Sequence, residues 1–469
     1  MIRCPADILH MVLKMLSVTE HRTLCLVNQN IRAIAEPFLY SKIQWTWQKD
    51  RPDSPPPITQ LLRTLLSRPQ LAGYITNVRL DGYTYRIDRT GFRWTIPQIP
   101  IPNDELDKPI AFIQRMGLPY SKRWIQELRD GTIDALVALL LAQLSNLRYL
   151  YLSGDFTRRT VLIGMVLQSA ICEDYGLPNF GRLQDVSFLV PQGRDEAWDR
   201  KIKNTADVLP FFYLPNVQRM SASIQNPDEF RWSISRLPDP AKLVSLHLTH
   251  VREGYLRELL AVTKKLRTLR WEWYFDYGVE DQFTTPIIDL PQIAAALSTV
   301  RDTLTDLTIF ADCDCDPCGG DAFRPAVKTE GSLHSMINFE MLRNLQIPWA
   351  FLVGFVQDMT KRLPDVIPKN IEFLIITDDL ALQNDDDKQP HWPLWDWQDY
   401  AIVDLIQSWL ENWEACTPRL RGITLLLSWI DTDMNEWSPS MRDRLRELGA
   451  RTGVPLEIIE LDSWKTHYR

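Results

Sequence analysis

Long apolar runs are absent. None of the 469 residues begins a stretch of 18 or more apolar positions, so no helical membrane span is expected. The opening Met1-Ile2-Arg3-Cys4-Pro5-Ala6-Asp7 lacks the apolar core of a secretory signal. Cysteine is sparse. The seven residues, at 4, 25, 172, 313, 315, 318 and 416, form an odd and mostly scattered set that is not a disulfide framework. Cytosol or nucleus is therefore the expected compartment. A basic excess is missing too. The net charge of −8 argues against a nucleic-acid partner, which needs a positive face to neutralise phosphates. There is no G-x-G-x-x-G, no Walker A sequence and no G-x-S-x-G, and no carboxylates pair in a recognisable motif. An enzyme is not the expected class, and no cofactor is expected.

What is present is a recurring pattern. An apolar-x-x-apolar-x-apolar core appears at Ile75/Val78/Leu80, Leu147/Leu150/Leu152, Leu183/Val186/Phe188, Val217/Met220/Ala222 and Leu243/Leu246/Leu248. It continues at Leu266/Leu269/Trp271, Leu304/Leu307/Ile309, Leu342/Leu345/Ile347, Ile371/Leu374/Ile376, Leu420/Ile423/Leu425 and Leu456/Ile459/Leu461. Helical spacing fills several intervals, at 133–144, 161–171, 255–262, 293–300 and 400–413. A short strand plus a helix or loop, neither stable alone, is the logic of a leucine-rich repeat. First positions lie 23 to 72 residues apart, so the array is irregular, and the widest gap leaves room for an unrecognised unit. The expected fold is an α/β solenoid, a right-handed horseshoe with parallel strands on its concave face. A doubly wound α/β domain would also alternate strand and helix, and is the weaker alternative.

Ahead of this array stands a helical stretch. Ile8, Leu9, Val12, Leu13 and Leu16 share helical spacing, with Pro5 near the start, where its missing N–H costs nothing. Ser17 to Thr19 supplies a stop and a new N-cap. A second segment carries Leu24, Leu26, Val27, Ile31 and Ile34 and is expected to end before Pro37. On periodicity alone these are core residues of a small helical cap. Residues 1–70 carry nine Lys/Arg against five Asp/Glu, which suits an acidic partner.

The pattern Pro5-x-Asp7-Ile8-Leu9, Val12-Leu13-x-x-Leu16, Leu24-x-Leu26-Val27-Asn28 and Ile31-Arg32 resembles an F-box. The ending Ala35-Glu36-Pro37-Phe38-Leu39-Tyr40 is similar to fungal F-box proteins with leucine-rich repeats. Cys4 stands where that family has Leu, Asp7 where it has Glu, and Asn28-Gln29-Asn30 where it has Cys/Ser-Lys. The resemblance implies a non-catalytic substrate receptor of an SCF-type ubiquitin ligase. The F-box would dock a SKP-type adaptor, and through it a cullin–RING ligase, while the repeats would hold an unidentified protein target. Pro5, Ile8, Leu9, Val12, Leu13, Leu16, Leu24, Leu26, Val27 and Ile31 would form or support the adaptor-facing surface. The alternative is a repeat scaffold in which the degenerate F-box serves only as an N-terminal cap.

The expected organisation is a helical module at 1–44, a Pro-rich linker and helix at 45–70, and the array at 71–469. Inserts interrupt the array. Residues 83–131, with repeated prolines, read as an extended loop. Residues 378–398 are acidic, then rich in tryptophan (Trp392, Trp395, Trp397), and those rings either pin the loop or anchor an interface. Cys313, Cys315 and Cys318 have a C-x-C-x-x-C spacing with His334 distant, but flanking Asp residues raise thiol pKa, and a turn is the expected reading rather than a metal site. His247 and His250 are spaced for opposite faces of a strand, poor for a shared metal.

Overall fold

The computed structural model describes residues 6–48, 54–82, 86–87, 94–95, 98–153, 156–157, 160–173, 175–190, 205–276, 284–314, 327–357, 360–380, 399–427 and 438–461. These fall into two compact units. The first draws on residues 1–192, 201–223 and 231–242, the second on 224–230 and 243–469.

The first unit opens with three helices, α1 (Ala6–Met15), α2 (Val18–Cys25) and α3 (Gln29–Ser41). Strand β1 (Lys42–Trp47) comes directly after α3, then α4 (Ile58–Ser67) and β2 (Asn77–Gly82). A short antiparallel pair, β3 (Arg86–Ile87) and β4 (Trp94–Thr95), precedes α5 (Asp107–Arg115), α6 (Ser121–Arg129) and α7 (Ile133–Leu141). The unit continues with β5 (Tyr149–Ser153), α8 (Leu162–Cys172), β6 (Asp185–Leu189), α9 (Thr205–Val208) and β7 (Arg219–Ser223). Its main strands pair in parallel in the order β1-β2-β5-β6-β7.

The second unit contains β8 (Ser245–Thr249), α10 (Glu253–Leu260), β9 (Thr268–Asp276), β10 (Ile287–Asp289), α11 (Leu290–Leu297), β11 (Asp306–Asp314) and β12 (Lys328–Glu330). It ends with β13 (Asn344–Pro348), α12 (Trp349–Val353), β14 (Phe373–Thr377), α13 (Asp399–Leu410), α14 (Trp413–Cys416), β15 (Gly422–Leu427), α15 (Pro439–Thr452) and β16 (Leu456–Glu460). Here the parallel order is β8-β9-β11-β13-β14-β15-β16, and β10 pairs with β12 apart from it. The protein is thus mixed α/β with parallel sheet, and the strands of each unit keep chain order.

The apolar triplets explain this arrangement. In ten of the eleven, from Ile75/Val78/Leu80 to Leu420/Ile423/Leu425, all three side chains are buried. The second and third sit two apart on a strand and point to the same face. The pairing keeps them in step. Val78, Leu150, Val186 and Met220 are partners across the first unit, as are Leu246, Leu269, Leu307, Leu345, Leu374 and Ile423 across the second. The eleventh triplet is out of register. Leu456 lies opposite Ile423, so Leu456 and Ile458 hold the strand positions assigned to Ile459 and Leu461, and Ile459 is exposed.

The array also begins earlier than the triplets indicate. Residues 42–47 pair with β2 from Lys42↔Asn77 to Trp47↔Gly82, so 45–47 belong to a strand rather than a linker. Ile43 and Trp47 are buried, and the alternation Ile43-Gln44-Trp45-Thr46-Trp47 has the period of two that suits a strand. No added unit fills the widest gap, because β2 pairs directly with β5. Residues 83–131 differ from the extended loop expected of them. Where described they are largely helical, with Ile113, Trp124 and Leu128 buried and Trp124 Nε1 donating to Ala135 O at 3.0 Å. The prolines near 100 are held beside Gly131, whose φ is +69° and where a Cβ would come within 2.6 Å of Ile99 O.

Two buried polar clusters tie neighbouring segments together. In the first unit Asp134, on α7, accepts from Val161 N, Leu162 N and Ile163 N at 2.7–3.0 Å, satisfying the start of α8. Asp207 lies close to the same helix, accepts from Thr160 Oγ1 at 2.6 Å, and occupies space that any side chain at Gly164 would fill. Burial pushes the Asp207 carboxyl up to about 8, and Asp134 adds to the rise. In the second unit Arg252 is 1% exposed. Its guanidinium meets Glu253 at 2.9 and 3.0 Å, donates to Thr285 O and Ile287 O at 3.0 Å, and lies 4.3 Å from the Trp273 ring centroid.

Each cluster makes a prediction. Arg252→Ala leaves Glu253 charged and buried without its partner. It should destabilise the second unit by about 3–5 kcal/mol in denaturant unfolding, against under ~1 kcal/mol for exposed Arg257→Ala. For Asp207 the folded pKa lies above the unfolded value, so its contribution to stability is complete below pH ~4 and is lost as pH rises toward 8. Asp207→Asn keeps the acceptor for Thr160 and removes the titration. The fall in melting temperature between pH 5 and 9 should be shallower in the variant, and an unchanged slope would refute the assignment.

Candidate functional site

The N-terminal helices are built by local capping. Ser17 caps α2. Glu20 N donates to Ser17 Oγ at 3.3 Å, and Ser17 N donates back to Glu20 Oε2 at 2.6 Å. The backbone and hydroxyl donors of Ser17 hold the Glu20 carboxyl below its usual range. Asn28 caps α3 by accepting from Ile31 N at 2.9 Å, which splits the segment read as one helix from Leu24 to Ile34. Helix α3 does not stop before Pro37. It runs on to Ser41 with Pro37 inside.

The reason lies one residue past the proline. Phe38 stacks on His21 at 5.6 Å between centroids and meets the edge of His10 at 4.8 Å, so α3 must continue to deliver that ring. His21 is buried, and its Nε2 donates to Leu13 O at 2.8 Å. Glu36, on the same helix, accepts from Arg68 at 2.7 Å and from Arg32 at 3.3 Å. Those donors, Arg68 first, hold its carboxyl below the usual range.

The apolar stripe of α1 divides in two. Leu13 is 6% exposed, and Leu9 and Leu16 are half-buried, all facing inward. Ile8 (50% exposed) and Val12 face outward with Met11 and Met15, the last 86% exposed. At about 100° per residue, 8, 11, 12 and 15 form one face and 9, 13 and 16 the next. Val18, Leu26 (82% exposed), Val27 and Ile34 are exposed as well, while Leu24 and Ile31 are half-buried. Among the described residues, eight of the sixteen large apolar side chains that are exposed lie between Ile8 and Ile34. The ten residues expected to form the surface therefore separate. Ile8, Val12, Leu26 and Val27 present themselves outward. Leu9, Leu13, Leu16, Leu24 and Ile31 support them, and Pro5 lies outside the described residues. Met11, Met15 and Val18 are additions to the expected set, and the spacing 8/11/12/15 carries the signal for the two methionines.

Other constellations do not assemble. Cys313 is half-buried, whereas Cys315 and Cys318 lie outside the described residues, as do 381–398 with Trp392, Trp395 and Trp397. His334 is exposed and bonded through Nδ1 to Asp365 O at 2.8 Å. Among the described residues no group of three or more His, Cys, Asp or Glu side chains is placed to hold a metal ion. His247 bonds Glu272 Oε1 at 2.8 Å, while His250 sits against Tyr274 and Thr249, so the two rings serve different neighbours. No described helix is long and apolar enough to cross a membrane.

No known family model matches the sequence, and no curated protein matches it. The exposed apolar helical surface is therefore the strongest functional feature on physical grounds.

The split of α1 makes a direct prediction. Met15→Asp should shift unfolding free energy by under ~0.5 kcal/mol, whereas Leu13→Asp buries an unpaired charge and should cost more than ~3 kcal/mol. Denaturant melts monitored by circular dichroism measure both, and equal costs would contradict the two-faced helix.

Proposed function

We propose that this protein is the substrate-recognition subunit of an SCF-type ubiquitin ligase. Its N-terminal helices act as an F-box that docks a SKP-type adaptor, and through it a cullin–RING ligase. The parallel strands behind them belong to an irregular leucine-rich-repeat-like solenoid that binds the target protein. The receptor performs no chemistry itself and raises the effective concentration of target lysines near the ubiquitin donor.

The observation that carries this reading is the apolar surface of Ile8, Met11, Val12, Met15, Leu26 and Val27, left in water by a module whose inner face is already packed. Soluble monomers seldom leave contiguous apolar patches open, and such patches mark association sites. Methionine adds adaptable shape at a docking face. The second reading, a cap with no partner, is favoured by one feature. Helix α3 passes without a break into β1 and is pinned to Arg68 through Glu36, so the module closes the first strand of its unit. Capping accounts for the inner face and leaves the outer face unexplained.

The test is co-purification of the full chain with recombinant SKP-type adaptor and cullin, beside a Met11→Asp/Met15→Asp variant. Wild type should retain both partners, and the variant should bind at least roughly 30-fold more weakly, the loss expected for two apolar anchors. Failure of wild type to retain adaptor where a known F-box does would sink the ligase reading. Equal retention by both forms would sink the choice of face.

A further inference from the structure

Two of the turns that lead into strands of the second unit, 263–267 and 417–421, carry only positive charge in an acidic chain, and the three between them are balanced. The five turns at 263–267, 301–305, 339–343, 368–372 and 417–421 carry eight Lys/Arg against three Asp/Glu, while the whole chain has a net charge of −8. The triplet residues they carry, Leu266, Leu304, Leu342, Ile371 and Leu420, are buried, whereas Met341 is exposed. Lys264, Lys265, Arg267, Lys369, Arg419 and Arg421 are exposed.

Backbone bonds stack these turns in a fixed column. Thr305 N donates to Arg267 O at 2.8 Å, Arg343 N to Thr305 O at 2.8 Å, Glu372 N to Arg343 O at 2.7 Å, and Arg421 N to Glu372 O at 2.7 Å. Arg267, Arg343 and Arg421 therefore recur at every second strand. With neighbouring strands ~4.8 Å apart, the guanidinium-bearing positions repeat at roughly 10 Å. Glu372 is shared between Arg343 at 3.6 Å and Arg421 at 3.3 Å, which leaves that triad one positive charge in excess, and because Arg343 also donates to Glu340 O at 2.7 Å, Arg421 is the freer of the two cations. Arg267 forms no ion pair with a described residue.

The geometry points to this basic edge as a binding surface for an acidic polypeptide segment that carries a carboxylate at every third residue. A polyproline II chain rises ~3.1 Å per residue with three residues per turn, so every third side chain falls on one face at ~9.3 Å, close to the arginine repeat. Nucleic acid fits less well. Single-strand binders interleave aromatic rings with their cations, and the one aromatic residue in these turns, Phe339, is buried. This surface lies wholly within the second unit, and the inference stands whether or not the N-terminal helices take an adaptor.

The probe is a fluorescein-labelled peptide of Glu-Pro-Ala repeats, titrated with the full chain at low salt and read by anisotropy. A peptide of the same composition with its glutamates clustered serves as control. The repeat peptide should bind better than the clustered one, weaken as salt rises, and lose at least about fivefold in affinity to an Arg267→Ser/Arg421→Ser variant. An Arg267→Lys/Arg421→Lys variant should retain most of the binding. Both side chains are exposed, so the variants should melt like wild type. Four results would each overturn the assignment: no binding at low salt, equal binding of the two peptides, equal binding by the serine variant, or tighter binding of an oligo-dT strand through the same arginines. Low-salt sedimentation supplies a further check. Self-association that vanishes in the serine variant would assign these charges to a second copy of the chain and likewise overturn the proposal.

Discussion

Everything in this protein depends on covering the apolar side of parallel strands. Two parallel strands cannot be joined by a tight turn, so between them the chain must be long enough to return to the same end. That returning chain is what buries the strand. In the second unit Leu246 and Leu248 of β8 precede α10, which contributes Leu256, Leu259 and Leu260 to the core before the chain re-enters as β9. The first position of each triplet lies in the turn before the strand, and it is buried in all ten units that keep register. One strand with its return segment cannot bury its own surface. Stability is shared between neighbours, and an insert is tolerated wherever the ends of the return segment are still fixed.

That constraint decides what the sequence reveals. Triplets with large apolar residues at all three positions are legible because the ladder demands them in register. β1 escapes because Tyr40, Ile43 and Trp45 straddle a helix end and stand before a charged, proline-rich stretch, so composition hides the alternation. β16 escapes because Gly453 occupies the first position, leaving a false match three residues later. The insert at 83–131 misleads because its prolines are concentrated ahead of the helical part. Arg252 is invisible for a different reason. A buried guanidinium needs carbonyls from 285 and 287 together with Glu253, and no local pattern announces such a convergence.

The N-terminal helices show the same principle at smaller scale. Counting apolar positions finds the helix but does not tell which apolar side chains face the protein. Here the deciding contact is between segments. Phe38, delivered by the continuation of α3 past Pro37, fills the space between His10 and His21, and His21 reaches Leu13 O. This fixes the rotation of α1, puts 9, 13 and 16 inside, and leaves 8, 11, 12 and 15 in water. The Pro37-Phe38 step thus sets the face from the far end of the module, and it is as much a determinant of the surface as the residues that form it.

Charge is distributed by a related logic. In the second unit the turns that precede strands come after the C-terminal ends of helices such as α10 and α11, where the helix dipole favours Lys and Arg. Local helix stability alone would accept a cation anywhere in the last turn. It does not require Arg267, Arg343 and Arg421 to occupy one backbone-bonded column two strands apart, nor the exposed Lys264 and Lys265 beside it. At the other ends of β11 and β14, Asp312, Asp378 and Asp379 accumulate instead, and burial with its acidic neighbours pushes Asp379 up to about 7 even though it accepts from Ala311 N at 2.9 Å. Positive charge thus collects in the turns before β9 and β15, and negative charge at the far ends of β11 and β14.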